Sequence, residues 1–304
     1  MNRNNTVTAV IPTRNRPELV LRAVRSALAQ TYKELEVIVV VDGPDGATSD
    51  ALGTIKDTRL RVIVLPRSQG AQTARNTGIE AARGDWIALL DDDDEWLPEK
   101  TELQIERAKG SIFQYPIISS QFIFRTLDYE LIWPRRKPYE PLSEYMLARD
   151  SCSRGEGWLP TITLFFPKDL FHYAPFSPDL KRCHDVDWVL RATRQKGAGI
   201  EFLSRPLAIC YDDERVRISS ALDWRTSLEW VESVREIITP RAYASYLAIQ
   251  VASLAARQGD WSAFSFLFKR ILTRGKPNPR DLAFFLGVWC VPRKIQLAVR
   301  KAGW

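Results

Sequence analysis

Histidine is nearly missing from this sequence: two residues in 304. Cysteine is scarce too, and Cys152, Cys183, Cys210 and Cys290 form no C-x-x-C pair. A zinc site draws three or four ligands from these two residue types at short spacings, so zinc is not expected. No G-x-G-x-x-G follows any strand-like run, which argues against a dinucleotide oxidoreductase. No apolar stretch approaches the roughly 18 to 20 residues that span a bilayer. The polar start, Asn2 to Thr6, leads into no apolar signal segment, so a cytoplasmic protein is expected. Internal repeats and low-complexity tracts are also lacking. With 45% hydrophobic residues, a chain of this length buries a sizeable core in one elaborated domain or two.

What stands out against these absences is Asp91-Asp92-Asp93-Asp94. The run Trp86 to Leu90 reads as a buried strand, and four carboxylates end it abruptly. Adjacent carboxylates repel one another, and folding alone offers no evident reason to gather them there. A divalent cation does, because Mg²⁺ and Mn²⁺ prefer carboxylate oxygens. In open α/β sheets ligands lie beyond the carboxyl ends of strands, so the run points to a metal-bound, phosphate-bearing ligand. The competing reading is a solvated acidic turn ahead of a helix that starts near Pro98, with Glu95 and Glu99 favouring its N-terminus.

The preceding residues alternate short β-rich runs with helical segments. Strands are expected at Val7–Pro12, Leu35–Val41, Arg61–Leu65 and Trp86–Leu90, and helices at Pro17–Gln30, Ala47–Lys56 and Ala71–Arg83. Leu35–Val41 is apolar nearly throughout, as a strand buried on both faces should be. Pro17 stands in a first turn, and Gly84 closes a last one. This β-α order implies a parallel sheet with right-handed crossovers. Its strand ends carry Thr13-Arg14-Asn15, Asp42 and the acidic run, which then lie along one edge.

Several segments in this order and spacing together resemble the family 2 glycosyltransferases. They are Val10-Ile11-Pro12-Thr13-Arg14-Asn15-Arg16, Leu28-Ala29-Gln30-Thr31-Tyr32, Glu36 to Gly43, Ala74-Arg75-Asn76-Thr77-Gly78, Arg83-Gly84-Asp85-Trp86, and Leu90 to Pro98. The likeness is close over roughly the first 110 residues and weaker to about residue 220. It implies an α/β fold of the GT-A type, a doubly wound, mostly parallel sheet, here with a helical C-terminal extension. It implies a nucleotide-sugar donor, with a UDP- or dTDP-sugar favoured, and Mn²⁺ or Mg²⁺ as cofactor. Carried over by position, Pro12, Thr13 and Arg14 lie in the first donor loop and Asp42 meets the nucleobase edge. Arg75 is a cation facing the diphosphate. Asp91, Asp92 and Asp93 match the acidic D-x-D signature, with Asp93 holding the metal. The pattern departs at Val41, where the family commonly has a second acid, and at Pro44, where it has Ser. Asp42 also reads as a plain turn residue before Gly43, and Arg75-Asn76 as a pair on a helix surface.

The chemistry also needs a base for the acceptor hydroxyl. Cys183-His184-Asp185-Val186-Asp187-Trp188 resembles the family's acidic dyad ahead of an amphipathic helix, whose second acid is the base. Asp185 takes that position, and His184 stands where the family usually has Glu. Alternatively, Asp185 and Asp187 are ordinary first-turn acids of a helix over Val186–Lys196. Trp158, Thr161 and His184 are candidates for the acceptor cleft, with a core role equally open for Trp158.

The basic residues are unevenly placed. From Pro240 onward there are eleven Lys or Arg against Asp260 and Asp281, so this region supplies the whole net charge of +6. Trp261, Phe264, Leu267, Phe268, Ile271 and Leu272 recur at helical spacing, and Leu282–Val291 is a second apolar run. Two readings stand side by side. One is a basic apolar surface for anionic membrane, and the other is a helical bundle with a solvated basic face. No nucleic-acid-binding motif accompanies the charge, and no nucleic-acid partner is expected.

The expected organisation is therefore residues 1–115 for the nucleotide sugar, 116–225 for the acceptor, and 226–304 as a basic helical extension. The expected function is metal-dependent, inverting sugar transfer to a glycan or lipid-linked acceptor in bacterial surface-polysaccharide synthesis, cytoplasmic or peripheral on the inner membrane face. Alternatives are a nucleotide-sugar-binding protein without transferase activity and a nucleotidyltransferase. The latter usually has a Gly-rich loop after its first strand, where this sequence has Pro12-Thr13-Arg14-Asn15-Arg16. A haloacid-dehalogenase-like phosphatase would carry its nucleophilic Asp after the first strand, whereas the acids here follow the fourth.

Overall fold

The computed structural model describes residues 5–149, 157–180, 182–212 and 223–291. The chain divides into two compact units, Met1–Trp133 with Leu159–Arg215, and Pro134–Trp158 with Val216–Trp304. Residues 134–149, which the sequence reading assigns to the acceptor half, thus group with the C-terminal helices.

The first unit is built on a nine-stranded sheet. Its N-terminal half contains β1 (Val7–Thr13), α1 (Pro17–Leu28), β2 (Leu35–Val41), α2 (Gly46–Gly53), β3 (Leu60–Val64), α3 (Ala71–Ala81) and β4 (Trp86–Leu89). These are the expected elements, with ends that agree or shift by at most three residues. β1 pairs in parallel with β2 on one side and β4 on the other, and β2 pairs with β3. Val37 to Val41 are fully buried, because helices cover both faces of a parallel sheet. The packing of α3 on the sheet depends on Gly78, where a Cβ would come 2.5 Å from Val10 Cγ1.

The remaining strands are β5 (Glu95–Trp96), β6 (Tyr115–Arg125), β7 (Glu130–Trp133), β8 (Phe165–Pro167) and β9 (Ala198–Tyr211). The order across the sheet is β3-β2-β1-β4-β8-β6-β9-β5, with β7 on β6. β8 runs antiparallel to β4 and so ends the purely parallel part. Between β5 and β6 lies α4 (Lys100–Lys109), which starts two residues later than the sequence suggests. Short helices α5 (Leu142–Leu147) and α6 (Lys168–Phe171) follow, then α7 (His184–Ala192).

The second unit contains α5, α8 (Trp224–Ser233), α9 (Pro240–Tyr246), α10 (Ala252–Arg257), α11 (Ser262–Arg274) and α12 (Pro279–Cys290). A π-helical turn, Leu247–Val251, joins α9 to α10. Asn278 and Asp281 form a reciprocal capping box at the start of α12. The apolar stripe of α11 faces inward, with Leu267 and Ile271 fully buried. Phe264 and Phe268 pack on Phe285 at 5.0 and 5.7 Å between ring centres. For that stripe the bundle reading describes the structure. Phe266, Leu272 and Leu286 remain exposed. Arg270 and Arg274 lie against Glu232 within the unit. Arg293, Lys294, Arg300 and Lys301 lie outside the described residues.

Candidate active site

Parallel pairing brings three strand ends together. Val10 lies beside Leu89 in register, so three residues further on Thr13 comes opposite Asp92. The Thr13 hydroxyl donates to Asp92 Oδ2 at 2.7 Å. On the other side, the Asp42 amide donates to the Thr13 carbonyl at 2.9 Å. Pro12 is buried beneath this edge, and Arg14 is exposed above it and bonded to the Ser68 hydroxyl.

The four aspartates have four different environments, so folding does supply a place for each. Asp91 pairs with Arg75. Asp92 Oδ1 and Asp93 Oδ2 share Nη1 of Arg16, each at 2.9 Å. Asp94 is buried and accepts from the Tyr211 amide at 2.9 Å. Burial and then repulsion from Asp93 push the Asp92 carboxyl up to about 6, against the pull of Arg16. Burial is also the main cause that raises Asp93, followed by the charge of Asp91. Arg22 contributes beneath the run, its guanidinium 3.9 Å from the centre of the Tyr211 ring and its Nη2 on the Asp93 carbonyl.

Asp93 is the acid of the run with an open side. Its side chain is 40% exposed, against 28% for Asp91 and 10% for Asp92. Among the described residues no three His, Cys, Asp or Glu side chains form a ready cation cage. This donor set fits a Mg²⁺ or Mn²⁺ held by one or two carboxylates with substrate phosphates completing the shell.

Asp42 is more than a turn residue. Its carboxylate accepts from the Ser68 hydroxyl at 2.7 Å, the Gln69 amide at 2.7 Å and the Gly70 amide at 3.0 Å. It thereby ties the loop that opens α3 to the end of β2. Gly43, at φ +100°, permits the approach, since a Cβ there would lie 2.8 Å from the Ser68 nitrogen.

Arg75 differs from the helix-surface reading. It is 4% exposed rather than on a helix surface. Nη1 donates to Gln72 Oε1 at 2.7 Å and Nη2 to Asp91.

α7 begins at this same place. Cys183 adopts a left-handed conformation at φ 57° and turns the chain into the helix. His184 and Asp185 follow, half-buried. The charges of Arg75, Asp185 and Asp91 all act on the imidazole, which burial first and Arg75 second hold below its usual pKa. Asp187 is occupied with its own helix: Oδ2 lies 2.6 Å from Arg191 Nη2 and accepts from Ser177 at 3.3 Å. Asp185 is bonded at Oδ1 by the Val186 amide at 2.8 Å. Thr161 is 2% exposed in a short turn and offers little surface to an acceptor. Trp158 belongs to the second unit and is half-buried.

Arg16, Arg22 and the Ser68–Gly70 loop are the site residues that sequence reasoning overlooks. Arg16 had a signal, as a cation at the end of the first strand loop facing an acidic run three strands later in sequence.

Residues 8–150 match the family model described as Glycosyl transferase family 2. Residues 8–150 thus form a glycosyl transferase family 2 domain. The succinoglycan biosynthesis protein ExoO of Rhizobium meliloti (strain 1021) is 46% identical over 105 residues, 34% of this chain and 30% of that protein. The Escherichia coli UDP-Glc:alpha-D-GlcNAc-diphosphoundecaprenol beta-1,3-glucosyltransferase WfaP is 38% identical over 99 residues, 33% of this chain and 39% of its own. The chain thus covers well under half the length of these relatives. Staphylococcus aureus TarS 1-349, crystallised in complex with UDP-GlcNAc, superposes with a TM-score of 0.57 at 16% identity, over 96% of this chain and 83% of that one. The fold is accordingly of the GT-A type, as the sequence resemblance implies.

Proposed function

We propose that this protein transfers a sugar from a UDP- or dTDP-sugar to a hydroxyl of a glycan or lipid-linked acceptor, inverting the anomeric centre, in bacterial surface-polysaccharide synthesis. The observation that carries this reading is the open Asp93 carboxylate in the same acidic run as Asp91, whose charge, with that of its partner Arg75, acts on His184 beside Asp185. Pro12, Thr13, Arg14 and Asp42 lie where the nucleoside end of the donor would rest, with Asp91 and Asp92 beyond them toward the diphosphate. Asp93 would hold the divalent cation, which when bound supplies charge neutralisation of the departing diphosphate. Arg16 holds Asp92 and Asp93 at a fixed separation and limits their mutual repulsion. Asp185 removes the acceptor proton, and attack from the side opposite the diphosphate gives inversion. Because Asp187 is bonded to Arg191, it is the weaker candidate for base. The names of the relatives, in succinoglycan synthesis and on a diphosphoundecaprenol substrate, support a glycan or lipid-linked acceptor. A lipid-linked acceptor in turn favours a cytoplasmic protein that visits an anionic membrane surface. No helix among the described residues is long and apolar enough to cross one.

The test is sugar transfer with Mn²⁺ or Mg²⁺ over a panel of nucleotide sugars preselected by thermal shift. Asp93→Asn should abolish transfer and weaken diphosphate binding while leaving the protein folded. Undiminished turnover of that variant, or of wild type in excess chelator, would remove the metal from the reading. Donor binding without transfer or hydrolysis, with any acceptor tried, would leave a binding protein instead.

A further inference from the structure

One face of α1 follows the chain that leaves the acidic run. Arg22 and Ser26 stand four residues apart on that helix, and Gln30 comes four residues later, just past its end. Each bonds the backbone between Asp93 and Leu97. Arg22 Nη2 donates to the Asp93 carbonyl, the Ser26 hydroxyl accepts from the Trp96 amide at 3.1 Å, and Gln30 Nε2 donates to the Leu97 carbonyl at 2.9 Å. The same segment pairs with β9, Glu95 opposite Ile209 and Trp96 opposite Ala208.

Arg22 makes further contacts that Ser26 does not. Its Nε lies 3.2 Å from Glu95 Oε1, and its guanidinium carbon is 3.9 Å from the centre of the Tyr211 ring. Tyr211 is the last residue of β9. Its amide donates to Asp94 Oδ1 at 2.9 Å, and its hydroxyl donates to Glu95 Oε1 at 2.7 Å. One planar side chain therefore touches the Asp93 carbonyl, the Glu95 carboxylate and the face of Tyr211 together. A lysine ammonium has the charge for such a place but neither the fork nor the flat face. Arg22 bonds the main chain of Asp93 and not its carboxylate, which keeps its open side.

We propose that Arg22 is a positioning residue: by holding the Asp93 carbonyl and the Tyr211 ring together, it fixes the end of the acidic run against the end of β9 and so sets the Asp93 carboxylate for a divalent cation. The inference rests on the assignment of that cation to Asp93. The sign of the effect separates positioning from charge. Removing a cation beside four carboxylates should, by Coulomb's law alone, tighten the binding of a divalent cation. Loss of an outer contact that orients a ligating residue should weaken it.

The experiment is Mn²⁺ titration of the full chain in saturating UDP, followed by the electron paramagnetic resonance signal of free Mn²⁺, with urea unfolding in chelator as the measure of stability. Arg22→Met should bind Mn²⁺ about tenfold to a hundredfold more weakly than wild type. Arg22→Lys should recover little of the loss. Tyr211→Leu removes the ring but spares the amide bond to Asp94, and should weaken Mn²⁺ binding in the same direction. Ser26→Ala, one turn along α1, should lower stability and leave Mn²⁺ affinity near that of wild type. Affinity in Arg22→Met equal to wild type or tighter would overturn the proposal, as would full recovery in Arg22→Lys. Equal weakening in Ser26→Ala would also overturn it, by making the effect one of α1 packing. Should Arg22→Met not fold, Tyr211→Leu decides by the same criterion against Ser26→Ala. Asp93→Asn is titrated alongside. Mn²⁺ binding kept in Asp93→Asn, or missing from wild type, would bring down the cation assignment itself, whereas wild-type affinity in the Arg22 and Tyr211 variants would bring down the role of Arg22 alone.

Discussion

The Thr13 hydroxyl bonds Asp92 at 2.7 Å across 79 positions of sequence, and this joins the ends of β1 and β4 under the acidic run. Asp92 pays for its place with a carboxyl pushed from 3.8 to about 6, chiefly by burial. The folded protein therefore keeps a proton that the unfolded chain releases as pH rises through about 4. Stability falls from about pH 4 to pH 6, and the full penalty is present above that. Asp92→Asn can still bond Thr13 and Arg16 but carries no charge to bury. In chelator, urea unfolding should find it more stable than wild type at pH 7.5, by about 1–3 kcal/mol, and nearly equal at pH 4. A loss of stability at pH 7.5 would mean that attraction to Arg16 outweighs burial.

Asp185→Asn keeps the shape of the α7 entrance and removes its proton acceptor. General-base catalysis contributes roughly 10²–10⁴-fold, so turnover should drop by that order with donor binding near wild type. Steady-state kinetics with separate donor titration measure both. A parallel fall in donor affinity would assign Asp185 to the donor pocket instead. Activity lost in Asp187→Asn but kept in Asp185→Asn would move the base along the helix.

Lys100 is fully buried, with Nζ donating to Gln104 Oε1 at 2.7 Å and lying 4.1 Å from the centre of the Trp96 ring. Burial drives its pKa well below the usual 10.5. Between its lowered folded pKa and 10.5 the unfolded chain binds a proton that the folded protein has released, so this residue makes stability rise with pH through that window. Lys100→Met should raise the unfolding free energy at pH 6–7 by an amount of order 1–3 kcal/mol, and the gain should shrink toward pH 10. A variant destabilised at both ends of that range would show that the bond to Gln104 outweighs the buried amine.

In the second unit, exposed Phe266, Leu272 and Leu286 accompany the exposed cations Lys269, Lys276 and Arg280. If this surface meets an anionic membrane, liposome binding should require anionic lipid and weaken as salt rises above about 0.1 M. Changing Lys269, Lys276 and Arg280 together to Gln should cut binding and spare activity on a soluble acceptor. Arg270 and Arg274 are unsuitable for this test, because they pair with Glu232 within the unit and their loss would change more than surface charge. Sedimentation with liposomes decides, and wild type that ignores anionic vesicles at low salt would leave the surface a solvated one.

The strands and helices of the N-terminal half were legible because each buries residues in a local pattern. Val37–Val41 can only be a doubly covered strand, and Pro17 and Gly84 mark ends through backbone restrictions of their own. The position of the acidic run was legible for the same reason, as the end of a buried strand. The fates of its members were not. Asp91, Asp92, Asp93 and Asp94 are equivalent in sequence, and only the β1–β4 register decides which meets Thr13 and Arg16, which meets Arg75, and which is buried under Tyr211. Arg75 likewise read as a cation facing the diphosphate or as one on a helix surface, because nothing within α3 reveals that Asp91 reaches it. The grouping of residues 134–149 with the C-terminal helices has no sequence marker, since it depends on packing between segments about 100 residues apart, such as Glu144 on Thr239 and Arg241. Periodicity is a property of neighbours along the chain, and the sequence of this protein determined its elements through it. Burial, pairing and proton affinity depend on which strand ends meet, and for this site those were decided by the sheet.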